Sequence, residues 1–174
     1  MREADFQNAI LEYLRGHGLY ASAEVYVPNG RVDVAWIPDS NFKNSGGGGA
    51  VPLCGIECKV KRPSSSHVRQ MMKYEDDFNW FSLCYPPEID VSNYDPSIAE
   101  ARFFGGQSRR SRACNFDPDR GFYNHVGGLH AQGFNARMGR SRRAGEGIVF
   151  QVMHNHLAGK RGVLPQKSRE VLCK

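Results

Sequence analysis

Two short runs of strand-forming residues, each with an acid inside it, constrain this sequence more than any other feature. The first run, residues 31–37, contains Asp33, and the second, residues 53–60, contains Glu57. A carboxylate in a run rich in Val and Ile is costly to bury unless it has a partner or a function. Because residues two apart on a strand face the same side, Glu57 and Lys59 are expected to project from one face of a sheet.

The N-terminal half of the chain has clear patterns for its other elements. Apolar residues at helical spacing are followed by closely spaced glycines, which predicts a helix and its end. A Pro-Asn-Gly turn signal at 28–30 joins two strand patterns, so three strands form a meander with Asp33 and Glu57 on neighbouring strands. The predicted elements are a helix over residues 3–16, strands over 22–28, 31–37 and 53–60, a helix over 66–78 and a strand over 80–85.

The C-terminal half is predicted to be less regular. Mixed turn signals over residues 88–124 indicate an irregular insertion, and the tail over 154–174 is basic. The elements predicted here are a short helix near 96–104, an edge strand over 126–131, a strand over 147–153 and one helical turn near 166–172.

These elements predict a single α/β domain over 1–174, with a small mixed sheet flanked by helices on both faces and an irregular basic C-terminal decoration. Its core is expected in residues 1–87 and 125–153. A chain of 174 residues is long enough for one hydrophobic core. No apolar run approaches the roughly 20 residues needed to cross a membrane. The charged N-terminal stretch is unlike a signal peptide, so we expect a cytoplasmic protein with no membrane partner.

Positive charge is concentrated in one stretch of the C-terminal half. Residues 102–143 contain nine Arg, no Lys and two Asp, a formal charge of +7 against +5 for the whole chain. Arg binds phosphate through paired hydrogen bonds, and basic patches attract nucleic acid. The alternative is a solvated basic loop without a ligand. The arginines predicted to contact DNA are Arg109, Arg110, Arg112, Arg140, Arg142 and Arg143.

The acids in the two strands suit metal chemistry. Two converging carboxylates can hold a hard cation such as Mg²⁺ through oxygen ligands. Lys59 beside them can orient or polarise a water molecule and offset charge on a phosphate, which is what metal-assisted phosphodiester cleavage needs. For an isolated Glu-x-Lys triplet, the alternative is an exposed ion pair on the solvated face of a strand.

The order Asp33, then Glu57-x-Lys59, resembles the PD-(D/E)XK nuclease superfamily, which includes restriction endonucleases, Holliday-junction resolvases and RecB-like nucleases. The resemblance covers residues 1–86, and a weaker resemblance is found near 126–131. Two features depart from the superfamily pattern. A valine rather than a proline precedes the first acid, and a long glycine-containing segment separates the two acids.

The resemblance implies a restriction-endonuclease-like core and Mg²⁺- or Mn²⁺-dependent cleavage of DNA phosphodiester bonds. It implies that Asp33 and Glu57 hold the metal, together with the backbone carbonyl of Cys58. Lys59 would then orient or help to deprotonate the attacking water. A homodimer is compatible with such an enzyme, because paired subunits can make two cuts.

Two further residues are candidates for supporting roles in the resemblance. Glu3, on the first turn of the N-terminal helix, either reaches the metal site or stabilises the helix dipole. Gln70 belongs to a Gln-x-x-x-Tyr pattern with Tyr74 that resembles the RecB-like branch, and it either points toward the site or lies on the surface. Two other functions remain open, namely a catalytically silent nucleic-acid-binding module of the same fold and a regulatory or protein-interaction factor.

The cysteines do not indicate a disulfide framework. There are five, an odd number, and no two are spaced as Cys-x-x-Cys, so reduced thiols are expected. Cys84 is predicted to lie in the core, and Cys58 is predicted to pack under a helix on the sheet face opposite the acids. A zinc site is an alternative, although its spacing matches no common zinc finger. Its ligands would be Cys54, Cys58, His154 and His156.

Overall fold

The computed structural model describes residues 1–37, 53–78, 80–92, 113–124 and 146–160. These ranges contain three α-helices, a short 3₁₀ helix and six strands. In chain order the elements are α1 (Glu3–Gly16), β1 (Tyr20–Val27), β2 (Gly30–Ile37), β3 (Cys54–Cys58), α2 (Ser65–Met72), the 3₁₀ helix (Glu75–Asp77), β4 (Trp80–Tyr85), β5 (Ala113–Asp117), β6 (Gly121–Tyr123) and α3 (Glu146–Lys160).

The strands form one mixed sheet in which they lie side by side in sequence order, from β1 to β6. β1, β2 and β3 are an antiparallel meander. β4 lies parallel to β3, and β5 lies parallel to β4, whereas β6 is antiparallel to β5. The chain passes from β3 to β4 through α2, since parallel neighbours need a crossover connection. The predicted α/β class with a mixed sheet is therefore confirmed.

One face of the sheet is covered by α1. Phe6, Ile10 and Leu14 recur every four residues along this helix and are buried against the sheet. On the strands below, Trp36 stacks on Phe122 with ring centroids 5.5 Å apart. Burial of each such side chain contributes about 1.5–3 kcal/mol to stability. This face is therefore a continuous apolar core.

The opposite face is covered by α2, the 3₁₀ helix and α3. Val68 and Met71 of α2 and Val152 of α3 belong to one buried cluster. A Cβ atom added at Gly55 would lie 2.6 Å from Cε1 of Phe78, so this position on β3 must be glycine for the segment after α2 to pack so closely. The prediction of helices on both faces is confirmed.

Two predictions for the C-terminal half are wrong. Residues 88–124 were expected to be irregular, yet they contain β5 and β6, which extend the sheet beyond β4. Residues 147–153 were expected to form a strand, yet they lie within α3.

The run over 147–153 is apolar almost throughout, and periodicity in such a short run does not distinguish a strand from a buried helix. In the structure Ile148, Val149 and Val152 are buried at helical spacing. Phe150 is 72 % exposed. Because this exposed residue is itself apolar, the sequence shows a continuous apolar run instead of an apolar face with helical spacing.

Several element boundaries also differ from the predicted ones. β3 ends at Cys58, so Lys59 follows the strand, and α2 ends at Met72 before the 3₁₀ helix begins. The helix and turn predicted near 96–104 and 166–172 and the strand predicted over 126–131 lie outside the described residues. None of the described helices has both the length and the apolar character that crossing a membrane requires.

Candidate active site

The two predicted acids lie on adjacent strands at one end of the meander. β2 and β3 pair with Val34 opposite Ile56, a register that brings Asp33 next to Glu57. The backbone amide of Cys58 donates a hydrogen bond to Oδ2 of Asp33 at 2.7 Å, which ties this carboxylate to the end of β3. The predicted placement of both acids on neighbouring strands is confirmed.

Glu57 is buried beside polar partners. It is 2 % exposed, and Lys59 is 8 % exposed, so the alternative of an exposed ion pair is wrong. Nζ of Lys59 lies 3.4 Å from Oε1 of Glu57, and Nε2 of Gln70 donates a hydrogen bond to the same oxygen. Oε2 of Glu57 is buried and has no hydrogen-bond partner among the described residues. A buried carboxylate oxygen without a partner is costly, so each such atom in a native protein calls for an explanation.

Burial raises the pKa of both carboxyl groups. The pKa of Asp33 rises from 3.8 to about 6, mainly through burial and with smaller contributions from the charges of Glu3 and Glu24. The pKa of Glu57 rises from 4.5 to about 7 through burial and then through the charge of Asp33. Lys59 partly offsets both increases. Neighbouring carboxyls with raised pKa values are typical of functional sites.

Glu3 and Cys58 approach the acids from the α1 side of the sheet. Glu3 is exposed on the first turn of α1, near enough for its charge to raise the pKa of Asp33. The Cys58 side chain is buried in the cluster that faces α1, as predicted. Burial raises the pKa of its thiol well above the ordinary value, so the thiol is neutral. The backbone carbonyl of Cys58 as a metal ligand remains a prediction.

Gln70 points toward the site from α2, which decides between its two predicted positions. Its side-chain amide donates a hydrogen bond to Oε1 of Glu57, which connects α2 to the buried acid. Tyr74, one turn later on the same segment, is buried and packs edge-on against Phe81, with ring centroids 6.2 Å apart. The two residues of the Gln-x-x-x-Tyr pattern therefore differ in position, one at the site and one in the core.

Two residues that the sequence analysis missed also contact the site. Nε2 of Gln7 donates hydrogen bonds to the backbone carbonyl of Asp33 at 2.6 Å and to Oε1 of Glu24 at 2.8 Å. Glu24 also forms an ion pair with Arg31 at 2.5 Å. Its backbone φ is +55°, a value that residues other than glycine rarely adopt. Gln7 lies four residues after Glu3 on α1, and that spacing was a signal that both face the same way.

The predicted phosphate-binding arginines lie outside the described residues. This holds for both clusters: Arg109, Arg110 and Arg112, and Arg140, Arg142 and Arg143. Within the described part, Lys61 and Arg62 are exposed two and three residues after Lys59. The end of β3 therefore continues into a basic surface segment.

The alternative of a zinc site is wrong. Cys54 and Cys58 are buried on the face that packs against α1, whereas α3, which carries both histidines, packs on the other face. Nδ1 of His156 accepts a hydrogen bond from the amide of Ala21, and His154 is exposed. Within the described ranges, no three His, Cys, Asp or Glu side chains come close enough to hold a metal ion by themselves.

Comparisons with known proteins do not assign a family. No family model matches the chain, and no curated protein does. A solved structure of a protein of unknown function from Silicibacter pomeroyi is 15 % identical to this chain, with a TM-score of 0.49. That similarity covers 92 % of this chain and 89 % of the other. Function must therefore be argued from the geometry of the site.

Proposed function

We propose that this protein is a Mg²⁺- or Mn²⁺-dependent nuclease that hydrolyses DNA phosphodiester bonds. Its active-site residues would be Asp33, Glu57 and Lys59. The observation that carries the proposal is the buried carboxylate of Glu57, which lies beside a second carboxylate and has one oxygen without a partner among the described residues. Burying such a group destabilises a protein unless a ligand completes it. A divalent cation is the ligand that two converging carboxylates suit.

The donors at this site fit a hard cation. Asp33 and Glu57 offer carboxylate oxygens, and the thiol of Cys58 lies on the other face of the sheet. Mg²⁺ is commonly held by one or two carboxylates and takes its remaining ligands from water and substrate phosphate. A bound cation would supply Lewis-acid polarisation of a phosphoryl oxygen and a lowered pKa of water.

The remaining residues hold and complement these acids. Lys59 is proposed to orient the attacking water and to offset the charge that develops on the phosphoryl oxygens. Gln70 holds Oε1 of Glu57 and so restricts rotation of the carboxylate. The Cys58 amide holds Oδ2 of Asp33 in the same way. Glu3 is proposed to act from the edge of the site through its charge.

The order of elements supports the assignment to the PD-(D/E)XK superfamily. A helix, a meander of three strands, a second helix and a fourth strand follow one another from α1 to β4. The resemblance found in the sequence implies this order, with one acid on the second strand and Glu-x-Lys at the end of the third. The basic stretch over 102–143 supports DNA as the partner, because it carries the net positive charge of the chain.

A plasmid-nicking assay with Mg²⁺ or Mn²⁺ tests the proposal. Lys59→Ala is expected to lower the cleavage rate by about 10²–10³-fold, because its role is exerted mainly in the transition state. Thermal unfolding and DNA affinity of this variant should stay close to the wild type.

Lys61 is the matched control, because it lies two residues further along the chain and is exposed. Lys61→Ala is expected to retain activity within about threefold of the wild type. Equal rates for both variants and the wild type would rule out the role of Lys59. A wild-type protein that binds DNA but never cleaves it would support the catalytically silent binding module.

A further inference from the structure

His67 is a polar residue of α2 to which the proposed reaction assigns no role. It lies one helical turn before Gln70, and residues three apart on a helix share a face. Nδ1 of His67 lies 3.1 Å from the hydroxyl of Tyr85, and the two ring centroids are 6.1 Å apart. Among the described residues, Tyr85 is the hydrogen-bond partner of this imidazole.

This histidine and tyrosine pair lies beside Lys59. Tyr85 is the last residue of β4, and the amide of Lys59 donates to the carbonyl of Cys84, immediately before it, at 2.9 Å. The pKa of His67 is lowered by burial first, and then by the charges of Lys59 and Lys61. Because the ordinary pKa of histidine is about 6.5, this lowered pKa leaves the imidazole neutral at neutral pH.

A neutral imidazole at this position is suited to donating one hydrogen bond. When the Tyr85 hydroxyl donates to Nδ1, the ring proton of His67 lies on Nε2. The contact fixes the ring orientation, and in this tautomer Nε2 carries the proton that can be donated. Tyr85 is fully buried and Val68, the next residue of α2, is in the core, so the pair rests on a rigid support.

We propose that His67, held by Tyr85, binds the substrate by donating a hydrogen bond from Nε2 to a non-bridging oxygen of a DNA phosphate next to Lys59. The inference rests on the proposed nuclease function and adds a substrate-positioning residue to it. His67 contributes direction without charge, whereas Lys59 contributes a charge that acts mainly in the transition state. The phosphate backbone is the group recognised, so the contact is independent of base sequence.

Imidazole NMR tests the contact without any cleavage step. The thymidine dinucleotide d(TpT), added in Ca²⁺ buffer to the wild-type protein, is expected to shift the Nε2 resonance of His67. His154, which is exposed on α3, is the internal control and should not shift. The His67→Asn variant assigns the resonance.

Kinetics of three variants test the role. Asn cannot place a donor where Nε2 lies, whereas Gln can, so His67→Asn is expected to raise KM about tenfold with little change in kcat, and His67→Gln should restore KM in part. Tyr85→Phe should raise KM by less than His67→Asn. Because the donor is neutral, the slope of log K against log salt should stay the same in all three variants, whereas loss of a charged contact lowers it by about 0.9.

The outcomes separate this inference from the function on which it rests. Cleavage by the wild type with no His67 shift, or with an unchanged KM in His67→Asn, overturns the role of His67 and leaves the nuclease proposal standing. A His67 shift in a protein that never cleaves DNA supports phosphate binding and overturns hydrolysis. If the protein shows no His67 shift and no cleavage, both proposals are overturned.

Discussion

The two faces of β3 differ in character within five residues. Cys54, Ile56 and Cys58 point into the core that faces α1 and are fully buried among apolar side chains. Glu57 points to the other face, where it is just as deeply buried but has Lys59 and Gln70 as neighbours. Burial of the apolar side chains on the first face stabilises the fold, whereas burial of the Glu57 carboxylate on the second face destabilises it. The apolar face thus holds the strand rigid, and that rigidity keeps a carboxylate buried on the opposite face.

The largest expected effect of breaking this arrangement is on chemistry. Glu57→Gln keeps the size of the side chain and its contact with Gln70 but removes the charge that a cation needs. Cleavage should fall by about 10³-fold or more, because the cation would no longer be held. Calorimetry should show loss of Mg²⁺ or Mn²⁺ binding, and Asp33→Asn should behave in the same way. Normal divalent binding by both variants would contradict the site.

The second prediction concerns the apolar face. Ile10 is fully buried under α1, so Ile10→Ala should reduce the free energy of unfolding by about 2–5 kcal/mol through lost burial and a new cavity. Divalent binding by the fraction that remains folded should be unchanged. Denaturant titration combined with calorimetry measures both quantities. A folded Ile10→Ala variant that has lost its metal affinity would mean that the two faces are not separable.

The third prediction concerns pH. The folded-state pKa values of about 6 for Asp33 and about 7 for Glu57 lie above the ordinary values of 3.8 and 4.5, so the folded protein holds protons that the unfolded chain releases. Their contribution to stability is therefore fully present below about pH 4 and is lost as pH rises through 7.

Without divalent metal, the wild type should lose about 5 kcal/mol relative to the double variant Asp33→Asn/Glu57→Gln between pH 4 and pH 8. Urea unfolding at several pH values measures the difference. Added Mg²⁺ should restore stability of the wild type at pH 8 and leave the double variant unaffected, because binding to the native state alone is stabilising. Parallel pH profiles for the two proteins would show that these carboxyls are not perturbed.

The smallest effect is expected at Gln7, which contacts the acid strand without touching a carboxylate proposed to hold metal. Gln7→Ala removes the hydrogen bonds to the Asp33 carbonyl and to Glu24, and kcat should fall about tenfold as β2 loosens. Asn8→Ala is the matched control, since Asn8 is the exposed next residue of α1. Equal activity of both variants would show that Gln7 does not position the site.

The sequence by itself determined the parts of the site that lie on regular local patterns. The period of two within residues 31–37 and 53–60 was enough to predict strands and to put Cys58 on the face opposite the acids, and the turn signal between strands placed Asp33 and Glu57 on neighbouring strands. The buried face of α1 could also be predicted from the sequence, because Phe6, Ile10 and Leu14 recur at helical spacing. Each of these inferences depends only on residues close together in the chain.

The tertiary structure alone decided features that depend on distant contacts. The run over 147–153 is compatible with a strand or a helix, and packing of α3 against β1 selects the helix. Side chains of α3 form hydrogen bonds with backbone groups on the unpaired edge of β1. For example, the side-chain amide of Gln151 accepts a hydrogen bond from the backbone amide of Tyr26 and donates one to its carbonyl. β5 and β6 likewise form because β4 offers them an edge.

The burial of Glu57 and the contacts of Gln7 and His67 are further features that only the tertiary structure decided. Gln7 reaches the carbonyl of Asp33 across 26 positions of the sequence, and His67 reaches Tyr85 across 18. No local periodicity encodes such pairs, because the fold brings them together only after the helices have packed on the sheet. The sequence determined which chemical groups are present and which strand face they occupy, and the packed sheet decided their burial, their partners and their pKa values.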